Sequence, residues 1–149
     1  MKFPKIHKSK TVDIYSANTF SSLEIPYVQT GVSAGFPSPA GDFTEGSIDL
    51  NKELIKNPSA TFFVRVKGNS MIDAGIKNGD LLIVDKSMEP RNGNIAVCFI
   101  DGDFTVKRIK IEKDCIFLVP ANSDFNPIKV TADNDFVIWG VVTNVIKSV

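Results

Sequence analysis

The chain is poor in the side chains most enzymes lean on. It has one histidine, His7, and two cysteines, Cys98 and Cys115, in 149 residues. His7 lies in a polar stretch near the N-terminus, which argues against a Ser-His-Asp triad and against a histidine-based zinc site. Cys98 and Cys115 sit in apolar stretches and read as core thiols of a cytoplasmic protein. An excess of charge is also missing: 17 basic residues balance 17 acidic ones. A sequence-independent grip on nucleic acid needs a basic surplus, so none is expected. No apolar run reaches the roughly 18 residues that would suggest a membrane span. No apolar segment follows the basic start Met1-Lys2-Phe3-Pro4-Lys5, so no signal peptide is expected. Internal repeats and low-complexity tracts are absent from the sequence.

What is present is enough for a real core: 43% of the residues are hydrophobic, in a length that suits one domain with an arm. Residues 1 to about 33 show no sustained period and read as a weakly structured arm, within which residues 27–33 suit a strand if an edge is offered. Ala34-Gly35-Phe36-Pro37-Ser38-Pro39 follows. Prolines at alternate positions forbid helix and favour an extended chain. A small residue before a permissive glycine suits a backbone laid into a cleft as an added strand, and it equally suits a plain linker. Residues 49–57 read as a short capped helix ending before Pro58. From Thr61 onward the pattern is β, with strands predicted over 61–67, 80–84, 94–100, 103–111, 115–119 and 136–147. Asp101-Gly102 is a hairpin signal, and Gly140 marks a bend or bulge in the last strand. Several short strands after one short helix predict a mostly β fold, a folded-over sheet or small barrel.

Two residues carry chemistry. Ser70 follows Gly68-Asn69 where a β run ends. A hydroxyl on such a turn, beside backbone N–H groups that lack strand partners, can serve as a nucleophile with its oxyanion hole. A lone Gly-x-Ser is more often a turn cap. Lys107 sits in Thr105-Val106-Lys107-Arg108-Ile109-Lys110-Ile111. Alternation along a strand points Lys107 with Ile109 and Ile111, and Arg108 with Lys110 the other way. A lysine on an apolar face is held away from water, which disfavours its charged form. A neutral amine can take a proton from a serine, although a lysine at a strand edge often just snorkels to solvent.

The motifs in combination resemble the LexA/UmuD family of self-cleaving serine peptidases, and in size and layout its UmuD-like members. Gly68-Asn69-Ser70-Met71 is similar to the family's nucleophile turn, Gly79-Asp80-Leu81-Leu82-Ile83-Val84 to its G-D-x-x-x-V segment, and Thr105-Val106-Lys107-Arg108 to its lysine strand. Residues 34–40 resemble the cleavage region of the UmuD-like members, with Ala34 where those often have cysteine, and Gly140-Val141-Val142 resembles their last strand. The resemblance implies a LexA C-terminal-domain-like fold with an arm at 1–34 removed by self-cleavage at Ala34-Gly35 and a peptidase domain at 35–149. It implies Ser70 as nucleophile, Lys107 as base, and the backbone N–H groups of Asn69 and Ser70 as oxyanion donors, with no cofactor and no metal. As partners it implies a second copy of the chain, a RecA filament on single-stranded DNA that stimulates cleavage, and a Y-family polymerase of the UmuC type. No sequence-specific DNA binding and no membrane association are expected. The alternative is a LexA-like or phage-repressor-like transcriptional regulator lacking a recognisable helix-turn-helix head, since no segment of this sequence matches one. A signal peptidase-like role would share the Ser-Lys chemistry but would want a membrane anchor.

Overall fold

β-branched and aromatic residues alternating with polar ones pair into antiparallel strands, and turn residues set where each strand stops. A computed structural model describes residues 5–17, 24–28 and 44–149. The chain forms two units, one from the described parts of 1–17 together with 57–149, the other from the described parts of 18–56. In the second unit, β3 (Glu24–Val28) pairs with β4 (Thr44–Asp49) and leads into the helix α1 (Leu50–Leu54). Asp49 caps α1 by accepting a 3.0 Å hydrogen bond from the Asn51 amide. The helix is shorter than the sequence suggests, because Ile55 is already extended.

The larger unit is a nine-stranded sheet. Its strands are β1 (Lys5–Lys8), β2 (Val12–Ser16), β5 (Thr61–Val66), β6 (Leu81–Asp85), β7 (Ile95–Ile100), β8 (Asp103–Ile111), β9 (Ile116–Val119), β10 (Ile128–Val130) and β11 (Phe136–Ile146). They lie in the order β1-β2-β5-β6-β11-β7-β8-β9-β10. The mostly β, folded-over architecture expected from the sequence is the one observed. The fold-over can be measured by what it joins. Thr11, just before β2, donates its hydroxyl to the Phe104 carbonyl on β8. In a flat sheet those strands, five places apart, would be about 24 Å from one another. Val64 and Val66 of β5 share one core cluster with Val97 of β7 and Val106 of β8, so the sheet curls until its separated strands meet across the core. A smaller cluster of Ala96, Cys98, Ile109 and Leu118 fills the opposite face of β7 and β8.

Two glycines explain local shape. Asp101 and Gly102 both have positive φ, which a two-residue hairpin between β7 and β8 requires. Gly140 sits at the register shift between β11 and β7. A Cβ there would lie 2.6 Å from Val84 Cγ1, so only glycine lets β11 approach β6 this closely.

The expectation of a weakly structured arm over residues 1–33 needs correction for its first half. Residues 5–17 are an integral hairpin of the sheet, and Val12 and Ile14 are 0% and 1% exposed within the main core cluster. Val12-Asp13-Ile14-Tyr15 does alternate, but four residues in a lysine- and serine-rich context are too few to register as a period. β10 was missed for the same reason, being three residues long after Pro127.

Asp80 shows how the Gly-Asp turn is held. Its carboxylate accepts from the Lys77 amide at 2.8 Å and from Lys147 Nζ at 2.9 Å. Burial pushes its pKa up, but these hydrogen bonds and the charges of Lys147 and Lys77 outweigh it and leave it below 3.8. The folded state therefore holds the carboxylate ionised more tightly than the unfolded chain does. That stability is present above about pH 4 and is lost as pH falls through the depressed folded value. Asp80→Ala is expected to cost about 2 kcal/mol at neutral pH, read as a lower urea midpoint with unchanged slope. The difference from wild type should shrink in acid.

Candidate active site

β5 delivers the chain into a tight turn, Lys67-Gly68-Asn69-Ser70. Gly68 has φ +92°, a conformation that favours glycine and reverses the chain directly after the strand. The turn is fixed by backbone and amide bonds rather than by the serine side chain. The Gly68 amide donates to Asn78 Oδ1 at 2.8 Å, and Asn122 Nδ2 donates to the Asn69 carbonyl at 2.9 Å. The Ala121 amide donates to the Ser70 carbonyl at 2.8 Å. Met71, 2% exposed, anchors the turn in the main core cluster. The amides of Asn69 and Ser70 find no hydrogen-bond acceptor among the described residues.

β8 supplies the lysine. Lys107 is 7% exposed and lies opposite Ala96 in the β7–β8 register, on the face it shares with Ile109. Arg108 and Lys110 are exposed on the other face, as strand alternation requires. Ile111 departs from the expected apolar face: it is 42% exposed near the strand end.

The curl of the sheet brings the two residues together. Lys107 Nζ lies 3.0 Å from Ser70 Oγ. It also donates to Thr105 Oγ1 at 2.7 Å and to the Val106 carbonyl at 3.1 Å. A neutral amine has two N–H bonds and one lone pair. With Thr105 and the Val106 carbonyl taking the two N–H groups, the lone pair is left facing the Ser70 hydroxyl. Burial pulls the Lys107 pKa below its ordinary 10.5, with the neighbouring Cys98 thiol acting weakly in the opposite sense. The same burial pushes the Cys98 thiol up to about 12, so it stays protonated and inert.

Thr105 and Asn122 are functional neighbours that the sequence reading passed over. Thr105 was legible, because it is two residues from Lys107 on one strand face. Asn122 was not, because it reaches Asn69 only through the fold. The Ala34-Gly35 junction lies outside the described residues.

A family profile described as Peptidase S24-like matches residues 26–143. The chain is 42% identical over 136 residues to Protein MucA of Salmonella typhimurium, which covers 89% of this chain and 92% of that protein. It is 47% identical over 113 residues to Protein ImpA of the same organism, covering 76% and 77% respectively. A LexA repressor from Xylella fastidiosa is 41% identical over 116 residues, covering 78% of this chain and 54% of the repressor.

Proposed function

The chain belongs to the Peptidase S24-like family and is a self-cleaving serine peptidase, and from that premise we propose that it cuts itself between Ala34 and Gly35 with Ser70 as nucleophile and Lys107 as base. The observation that carries this reading is the 3.0 Å contact between a hydroxyl on a turn and a buried amine. Neutral Lys107 takes the Ser70 proton as Oγ attacks the Ala34 carbonyl carbon. The oxyanion that forms is held by the amides of Asn69 and Ser70, a type of interaction worth about 3 kcal/mol per donor. The C–N bond then breaks, and the Lys107 proton goes to the Gly35 nitrogen. That step frees the amine of a chain starting at Gly35; water, deprotonated by the Lys107 amine, then hydrolyses the ester at Ala34, and the proton returns to Ser70 Oγ as its bond to the Ala34 carbon breaks.

A substrate tethered to its own enzyme is always at high effective concentration, so the cutting arrangement has to be rare until something favours it. In our reading that effector is a RecA filament on single-stranded DNA. The processed protein, a homodimer in the cytoplasm, then serves a UmuC-type translesion polymerase in the response to DNA damage. Apolar residues left at the surface of β11, among them Val137 at 53% and Ile146 at 43% exposure, support association. Intact mass spectrometry tests the scheme. The expected products split at 34/35, slowly at neutral pH and faster when the filament is added, and Gly35→Glu should block the cut by crowding the backbone. A product starting elsewhere than Gly35 would sink the site, and an unchanged rate with the filament would sink its role. The match to a LexA repressor favours a regulator as second reading; sequence-specific binding in a gel-shift experiment would put it first.

A further inference from the structure

Residues 9–16 make a more intimate contact than a disposable arm would. β2 pairs with β5 through five consecutive residues, from Val12 opposite Val66 to Ser16 opposite Phe62. Val12 and Ile14 reach into the main core cluster. Between them Asp13, 6% exposed, meets Lys67 Nζ at 2.9 Å. The same ammonium donates to the Ser9 carbonyl at 2.9 Å, and the Lys67 amide donates to the Thr11 carbonyl at 2.7 Å. Thr11 in turn reaches the Phe104 carbonyl on β8. The segment thus ties Lys67, just past the end of β5 and three residues before Ser70, to the strand that carries Lys107.

The geometry points to β5 as a strand-docking edge whose ligand is this chain's own residues 9–16, and to a cut at Ala34-Gly35 that leaves this strand in place. Cleavage then only unties the segment. Its departure is a separate, reversible step that uncovers the β5 edge, the Lys67 ammonium and the hollows left by Val12 and Ile14. An extended apolar-acidic-apolar segment, as in Val12-Asp13-Ile14, is what that edge is shaped to receive. The inference rests on the proposed cleavage site for its biological meaning, but the docking can be tested without self-cleavage.

Ser70→Ala protein carrying a site-specific protease sequence between residues 34 and 35 is nicked by that protease and examined at low micromolar concentration. Denaturing mass spectrometry should show two fragments, and native mass spectrometry should show them in one particle. Asp13→Lys places two cations together, and in the same nicked protein it should speed fragment loss at least tenfold. Fragment found apart from the 35–149 portion in the parent nicked protein overturns the proposal, whether or not that portion stays folded. A tenfold effect absent in Asp13→Lys overturns the role of Lys67. Wild-type chain that never cuts itself would instead count against the cleavage reading, and would leave the result on nicked protein standing.

Discussion

Ser70→Ala is expected to lower self-cleavage by roughly a thousandfold or more, because loss of a nucleophile leaves only what binding and oxyanion stabilisation can do. The fold should be unaffected. The turn is held through the Ser70 and Asn69 carbonyls and the Gly68 amide, none of which involves the hydroxyl. Among the described residues the partner of Oγ is Lys107 Nζ, and an amine of lowered pKa tolerates its loss. Intact mass followed over hours gives the rate, and thermal melting gives the fold. Fragments accumulating at the wild-type rate in a natively melting variant would remove Ser70 from the chemistry.

Lys107→Met should produce a loss of comparable kind, about 10²- to 10⁴-fold for a general base, together with an unusual gain. Methionine fills the space of the lysine stem without a charge to desolvate. Burial lowers the Lys107 pKa from 10.5, so the unfolded chain binds its proton more tightly than the folded one. The sign follows from linkage: the penalty is full below the lowered folded value and fades as pH climbs from there towards 10.5. The methionine variant should therefore be at least as stable as wild type at neutral pH, and its advantage should shrink in alkali. The cleavage rate of wild type should rise as pH climbs towards and through the lowered folded value, where the amine becomes neutral, and level off above it. Lys107→Arg should not rescue cutting, since a guanidinium stays charged. A wild-type rate flat from mildly acid to alkaline pH, with the fold intact, would argue against a lysine base.

Much of the β framework was readable because its strands are long and apolar. β8 falls on the predicted residues 103–111, and β11 differs from its prediction by one residue. Where the reading failed, the segments were short or their partners distant. β2 is made a strand by the edge of β5, where the partner of Asp13 is Arg65, 52 residues on in sequence, and nothing in Thr11 announces a bond to Phe104. The helix was overextended because Ile55 keeps the apolar spacing while its backbone has already left the helix.

The sequence by itself determined the chemical vocabulary. A glycine that permits the turn, a serine two residues later, and a lysine alternating onto an apolar strand face are local facts, fixed by φ preferences and by the two-residue period of a strand. It also placed a small residue before a permissive glycine at Ala34-Gly35, followed by prolines at alternate positions. Only the tertiary structure decided that the pieces form one site. β5 and β8 are four places apart in the sheet, about 19 Å if it were flat, yet Ser70 Oγ and Lys107 Nζ are 3.0 Å apart. The physical reason is the shared core. Val64, Val66, Met71, Val97 and Val106 leave water together only if the sheet curls over, and the curl carries the serine turn onto the lysine.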